Sequence, residues 1–368
     1  MEQATKKYNN KKWEGHKGSE MKKYNKKQSK FMKLQHQVDE SIREKWAEEQ
    51  YLLKESLIEE DKFDWYLPVQ DDEYNQDKEK EGLKPLEMIG AVDISYSKTD
   101  SQKACAALVV LAYPSFDVLY EDYEIDTTEY PYIPGFLAFK EIPSLTILFN
   151  RLKENSPEFW PQVLLVDGNG ILHNRGFGCA SHIGVVMDIP SIGVGKTVFA
   201  VDGITQRGVR EMSEAKLLKG GDLEYLVGRS GKNWGAALRS TDDSKNPIII
   251  SVGHRVCLET AIAVVRACIT RYRIPEPIRQ ADKRGRVWVQ KTYDSKGKTM
   301  QKSSLRKEME AKRVFDTKPS KPKSSKSKEE SKKMDHDKKV IEKTWSPKKK
   351  SKKKKKGPII DDDGFTQV

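Results

Sequence analysis

Long apolar runs are missing from this sequence. No stretch approaches the roughly 18 apolar residues that a membrane span needs, so no membrane contact of that kind is expected. Cysteine is scarce too. The four, Cys105, Cys179, Cys257 and Cys268, form no Cys-x-x-Cys pair and sit among apolar or small residues. They read as reduced, mostly buried thiols of an intracellular protein. The basic N-terminus has no apolar h-region, and no secretory signal is expected. No heptad pattern or apolar surface stripe appears, so a monomer is expected.

Hydrophobic residues make up only 36% of the 368, against 33% charged, so part of the chain should lie outside any folded core. The net charge of +12 favours a polyanionic partner such as nucleic acid. Charge alone leaves RNA, DNA and an acidic membrane surface open.

The pattern divides the chain in three. Residues 1–37 are a lysine- and asparagine-rich arm, expected to be disordered. Residues 38–286 carry the apolar periodicity of a folded domain. Residues 287–368 form a lysine-rich tail, expected to be disordered, with runs at Lys348–Lys350 and Lys352–Lys356. Such a tail suits phosphate binding, a nuclear address or simple solubility, and a nuclear, nucleolar and cytoplasmic distribution is expected. Val287-Trp288-Val289 reads as an apolar scrap too short to found an element.

Within the domain, an amphipathic helix is expected to about Asp61, followed by an acidic linker, Gln70–Glu81. Strands follow at Met88–Tyr96, Lys103–Ala112 and Val118–Ile125, and their short links favour an antiparallel meander. A helix from Phe136 to about Leu152 is broken or restarted at Pro143. Val163–Val166, apolar throughout and closed by Asp167-Gly168, reads as a strand buried on both faces. A helix near Ser181–Val186, a strand at Ser191–Val194, a loop-rich stretch over 201–233, strands at Ala236–Arg239 and Ile248–Ser251, and a helix over Cys257–Ile269 complete it.

A helical crossover from the third strand returns the chain beside the first, parallel to it. Asp93, on the first strand, then lies next to Asp167. Glu141, on the crossover helix, can face the same rim. Clustered carboxylates hold together only with cations between them or by taking up protons, and hard oxygen donors suit Mg²⁺, with Mn²⁺ as the alternative. Such a site suits phosphoryl displacement. The plainer reading leaves Asp93 as a strand-end carboxylate and Glu141 as a surface glutamate.

His254 and His173 follow these strands and are candidate water-orienting or metal-reaching groups, though a lone histidine is more often structural. Gly193-Val194-Gly195-Lys196-Thr197 is not a phosphate loop, because Pro190 stands where its first glycine is required. Lys196 can instead neutralise a phosphate at the strand end, or be a plain turn lysine. Gly168 and Gly170 allow close backbone approach. The stiff Tyr130-Pro131-Tyr132-Ile133-Pro134-Gly135 loop is either a wedge between stacked bases or an ordinary proline-rich turn.

Together these stretches resemble the endonuclease V family of inosine-directed nucleases. They are Gly90–Tyr96, Pro131–Glu141, Leu165–Gly170, Leu172–Gly178, Ile192–Lys196, Ser251–His254 and Ile274–Arg279. The resemblance covers about Trp46 to Arg286 and neither basic tail. It implies an α/β, RNase H-like fold with a mixed five-stranded sheet flanked by helices. It implies Asp93 and Asp167 as Mg²⁺ ligands, Glu141 as the third catalytic carboxylate, and Lys196 and His254 as supporting residues. Tyr132, with Pro131 and Ile133, would form the strand-separating wedge. Gly168, Asn169 and Gly170, with His173, would border the base pocket. The implied reaction cuts the second phosphodiester 3′ to inosine, leaving 3′-hydroxyl and 5′-phosphate ends. The Arg175–Gly178 stretch and the basic tails are similar to eukaryotic members, which favours single-stranded inosine RNA. A deoxyinosine repair nuclease and a non-catalytic basic nucleic-acid binder are the alternatives.

Overall fold

The computed structural model describes residues 40–100, 102–127, 133–294 and 307–309. The expected disordered arm, the far end of the basic tail, and Pro131 and Tyr132 lie outside the described residues. All described residues fall in one compact unit, Met1–Lys321.

Helix α1 covers residues 40–54 and stops short of the expected Asp61. A parallel pair of two-residue strands, β1 (Trp65–Tyr66) and β2 (Lys84–Pro85), brackets helix α2 (Asp72–Lys80). The stretch expected to be a linker is therefore helical. Asp71 caps it through a hydrogen bond from the Tyr74 N–H, and Lys78 and Lys80 lie in its last turn. Being polar all round, it offers no apolar period.

The main sheet begins with β3 (Met88–Tyr96), β4 (Lys103–Ala112) and β5 (Val118–Thr127) as an antiparallel meander. Helix α3 (Leu137–Asn155) then carries the chain back to β6 (Val163–Val166), which pairs parallel with β3 from Ile89↔Val163 to Val92↔Val166. Helix α4 (Cys179–Met187) leads to β7 (Ser191–Gly195), parallel to β6. These five strands are the expected RNase H-like core. The sheet extends beyond them. Strands β8 (Leu223–Val227), β9 (Asn233–Leu238) and β10 (Ile248–His254) add to the far side, giving eight strands in the order β5-β4-β3-β6-β7-β10-β9-β8.

Helix α3 runs unbroken through Pro143, contrary to the expected interruption. Buried residues on both sides of the proline, Ala138, Ile142, Leu145 and Leu148, seat the helix on the sheet and offset the missing hydrogen bond. The 201–233 stretch holds helix α5 (Gln206–Lys216) as well as β8. Few of its residues are buried, which explains why it reads as loop.

Alternation along β4 splits the core. Ala106, Leu108 and Val110 pack with α3 and α4, whereas Val109 and Leu111 pack with helices α6 (Leu258–Ala267) and α7 (Glu276–Val289). The expected domain end at Arg286 cuts through α7. Ile278, Ala281, Gly285 and Trp288 form its buried stripe. Trp288 packs against Tyr123 with ring centroids 5.4 Å apart, and Val289 and Met309 join the same cluster. The apolar scrap is thus the end of a packed helix. We expect Trp288→Ala to cost about 3–5 kcal/mol in denaturant unfolding, as for other buried large-to-small changes. A loss below about 1 kcal/mol would return residues 287–289 to the tail.

Candidate active site

The parallel register that ends at Val92↔Val166 sets the next residues, Asp93 and Asp167, side by side at one rim of the sheet. On one face of the sheet α3 reaches this rim with Leu137 and Glu141. On the other, α7 reaches it with Asp282, Arg286 and Val289. The two layers part here around a cleft of about 800 Å³, lined by Asp93, Glu141, Asp167, Lys196 and Asp282 among others.

Burial, with the negative charges of Asp167 and Asp282, pushes the Asp93 carboxyl up to about 7. Ser95 Oγ donates to its Oδ2 at 3.2 Å and works in the opposite direction. Glu141 is buried at the wall of the cleft. Burial, then the Asp93 charge, pushes it up to about 8. Tyr96 Oη donates to Glu141 Oε1 at 3.3 Å and Cys179 Sγ to Oε2 at 3.6 Å, which fixes both oxygens of the carboxyl group. Lys196, immediately after β7, donates its ammonium to Asp167 Oδ2. The sequence-expected Asp93, Glu141, Asp167 and Lys196 are therefore brought together.

Asp282 escaped the sequence reading. It sits in Gln280-Ala281-Asp282-Lys283-Arg284, which looks like a solvated charge run. The signal that locates it is the period of Ile278, Ala281, Gly285 and Trp288 after Pro275 and Pro277. That stripe puts α7 on the sheet with Asp282 at its margin, bonded by Arg286 Nε at 2.7 Å.

His254 is not part of this cleft. Strand β10 runs antiparallel to β7 and pairs His254 with Ser191, at the far end of β7 from Gly195. Its Nδ1 accepts from the Ile58 N–H at 3.3 Å, and its Nε2 stands 3.6 Å from Asp188. The structure therefore does not bring this expected supporting residue to the carboxylates. His173 also lies away from the carboxylates. Its Nδ1 accepts from the Arg175 N–H at 3.3 Å, and it hydrogen-bonds the Gly135 backbone. Burial and the Arg175 charge pull it down to about 4, so it is neutral at physiological pH. Ile133, buried, begins the turn that leads into α3.

After Asp167 the chain lies against the sheet. A Cβ at Gly170 would fall 1.8 Å from the Val252 carbonyl oxygen, so no side chain fits there. The Gly170 N–H donates to Ser251 Oγ, and Asn169 Nδ2 donates to the Thr197 carbonyl. Gly168 faces Cys179, where an added Cβ would come within 3.3 Å. Packing accounts for Gly170 before any substrate is considered.

The endonuclease V family model matches residues 71–283. The chain belongs to the endonuclease V family. Mouse endonuclease V is 44% identical over 252 residues, covering 68% of this chain and 71% of the mouse protein. The solved catalytic domain of human endonuclease V is 42% identical, with a TM-score of 0.62, covering 69% of this chain and 98% of that one. Endonuclease V of Ciona intestinalis, solved with a 24mer DNA containing an inosine followed by a ribo-adenosine, is 32% identical with a TM-score of 0.60, covering 68% of this chain and 99% of that one. Endonuclease V proteins are nucleases, and this chain is an enzyme that hydrolyses phosphodiester bonds.

The family is metal-dependent, and the donor set fits a hard cation. Asp93, Glu141, Asp167 and Asp282 are all oxygen donors, and burial, reinforced by the neighbouring negative charges, drives Asp93 and Glu141 towards protonation, which a cation would oppose. Among the described residues no three such side chains stand close enough to ligate one ion. Lys196 is the cation placed on Asp167.

These shifts make stability depend on pH. Both groups hold protons more tightly folded than unfolded, so ionising them destabilises the fold as pH rises from their ordinary values of 3.8 and 4.5 towards about 7 and about 8. Without divalent metal, Tm should fall by roughly 2–4 °C between about pH 5 and about pH 8, the size of a 1 kcal/mol effect in a domain of this length. Asp93→Asn with Glu141→Gln should flatten that slope, and Mg²⁺ should raise Tm more at the higher pH. A wild-type profile with no fall would contradict the coupled cluster.

Proposed function

We propose that this enzyme is an inosine-directed endonuclease acting on single-stranded nucleic acid, RNA in preference to DNA. It cuts the second phosphodiester 3′ to inosine and leaves 3′-hydroxyl and 5′-phosphate ends. The observation that carries the reading is the pairing of Asp93 with Asp167 at the sheet rim, with Glu141 facing the same cleft. Mutually repelling carboxylates have no use in a protein that only binds nucleic acid. The Ciona relative's complex with inosine-containing DNA supports the base preference, and its ribo-adenosine beside the inosine supports a ribose at the adjacent position.

The Asp93 and Asp167 carboxylates would hold Mg²⁺, with Mn²⁺ as the alternative, and when bound the ion supplies charge stabilisation to the phosphoryl group. Lys196, its side chain 47% exposed, lies where a phosphate oxygen can compete with Asp167 for the ammonium. Glu141, held by Tyr96 and Cys179, has a proton affinity near neutrality and is suited to exchange a proton with water at the reacting phosphate. Pro131, Tyr132 and Ile133 come shortly before α3 in the sequence, which suits a wedge that turns the base towards the His173 loop. The chain acts as a monomer in the nucleus and cytoplasm, and its basic tail adds phosphate affinity.

Glu141→Gln should lower cleavage of an inosine-containing strand about 10²–10⁴-fold, the range for a proton-transfer group, while binding stays within a few-fold. Retained cleavage would remove Glu141 from the mechanism. Matched RNA and DNA strands, each with one inosine, should be cut at different rates under Mg²⁺, the RNA faster. Equal rates would leave the deoxyinosine reading in its place.

A further inference from the structure

Helix α1, residues 40–54, precedes the segment that the family model matches, residues 71–283. It nevertheless packs on the loops that lead to the cleft. Trp46 stacks on Phe139, with ring centroids 4.9 Å apart and planes at 7°, and lies 5.9 Å from the Phe136 ring. One turn further on, Gln50 is 1% exposed. A buried primary amide is costly unless its groups are used. Here both ends are used. Nε2 donates to the Phe177 carbonyl at 3.0 Å and reaches the Gly135 carbonyl at 3.5 Å, and Oε1 accepts from Arg175 Nε at 2.5 Å.

The Arg175 guanidinium completes the connection. It donates Nη2 to the Gly135 carbonyl and lies over the Phe136 ring at 4.0 Å, while Lys54 Nζ donates to the Arg175 carbonyl at 2.9 Å. His173, neutral, adds a hydrogen bond to the Gly135 backbone, the Nε2 proton being assigned because Nδ1 accepts. Gly135 has a φ of +82°, which residues with a side chain rarely adopt, so glycine suits the turn that presents its carbonyl to these donors. Donors from α1 and from the His173–Phe177 loop thus converge on one carbonyl, immediately before the helix that carries Glu141.

We propose that Gln50 is a positioning residue for base recognition. With Arg175 it ties the Ile133–Phe136 turn to the His173–Phe177 loop and so sets the spacing of the two walls between which the base is received. This rests on the inosine reading above. The tie touches neither the carboxylates nor Lys196, so its loss should fall on selection and KM rather than on the chemical step.

The test uses the full chain and compares kcat and KM on an inosine strand and on the same strand with guanosine in its place. Gln50→Leu removes every hydrogen bond of the amide. Gln50→Glu keeps an acceptor for Arg175 and removes the donors to Gly135 and Phe177, so the fold is retained if the leucine variant proves unstable. Each is expected to raise KM for the inosine strand and to lower the inosine-over-guanosine ratio of kcat/KM by about tenfold, with kcat within about threefold. Arg175→Lys added to Gln50→Leu should cost little more, because both break one connection. Wild-type preference with an unchanged ratio in both Gln50 variants overturns the tie alone. A uniform loss on both strands makes Gln50 structural and also overturns it. A wild-type chain that does not distinguish inosine overturns the inosine reading, and the tie with it.

Discussion

Repulsion between carboxylates is the constraint on which the rest of this structure depends. Two parallel strands, β3 and β6, end in step and leave Asp93 and Asp167 together at the rim. Glu141 and Asp282 are added from opposite layers. Left alone, such a group would separate or take up protons, and burial drives Asp93 and Glu141 towards the second course. The surrounding fold holds them in place. The α3 stripe fixes Glu141 from one side and the α7 stripe fixes Asp282 from the other. Stability given up at the rim is offset by an apolar core in which the strands are buried on both faces.

The proposed base-recognition tie and the carboxylates occupy neighbouring but distinct parts. The carboxylates and Lys196 sit at the strand ends. The Ile133–Phe136 turn, the His173–Phe177 loop and α1 are joined by hydrogen bonds through Gln50 and Arg175. The turn leads into α3, whose own buried stripe on the sheet holds Glu141 in the second turn independently of the tie.

The core of the site was legible because its strands are written in unbroken apolar runs. Val163–Val166 closes on Asp167, Met88–Tyr96 carries Asp93, and a crossover helix fixes their relative direction. Asp282 was not legible, since three of the five residues Gln280–Arg284 are charged and the buried stripe of α7 includes Ala281 and Gly285, which carry little apolar signal. Helices α2 and α5 were missed for a related reason: they bury little, so their periodicity is weak. His254 was misplaced because a histidine just past a strand points to the active rim only if that strand runs parallel to its neighbours. The direction of β10 is set by pairing with β7 and β9, far away in sequence.

The central claim, as proposed above, is that Asp93 and Asp167 would together hold one hard cation. Anomalous diffraction from a crystal equilibrated with Mn²⁺ tests it most directly. The account predicts an anomalous peak bounded by Asp93 and Asp167, with the Lys196 ammonium moved off Asp167 and Asp282 on the same side of the cleft. Mn²⁺ bound elsewhere, or Lys196 still on Asp167 with no peak at saturating Mn²⁺, would contradict it.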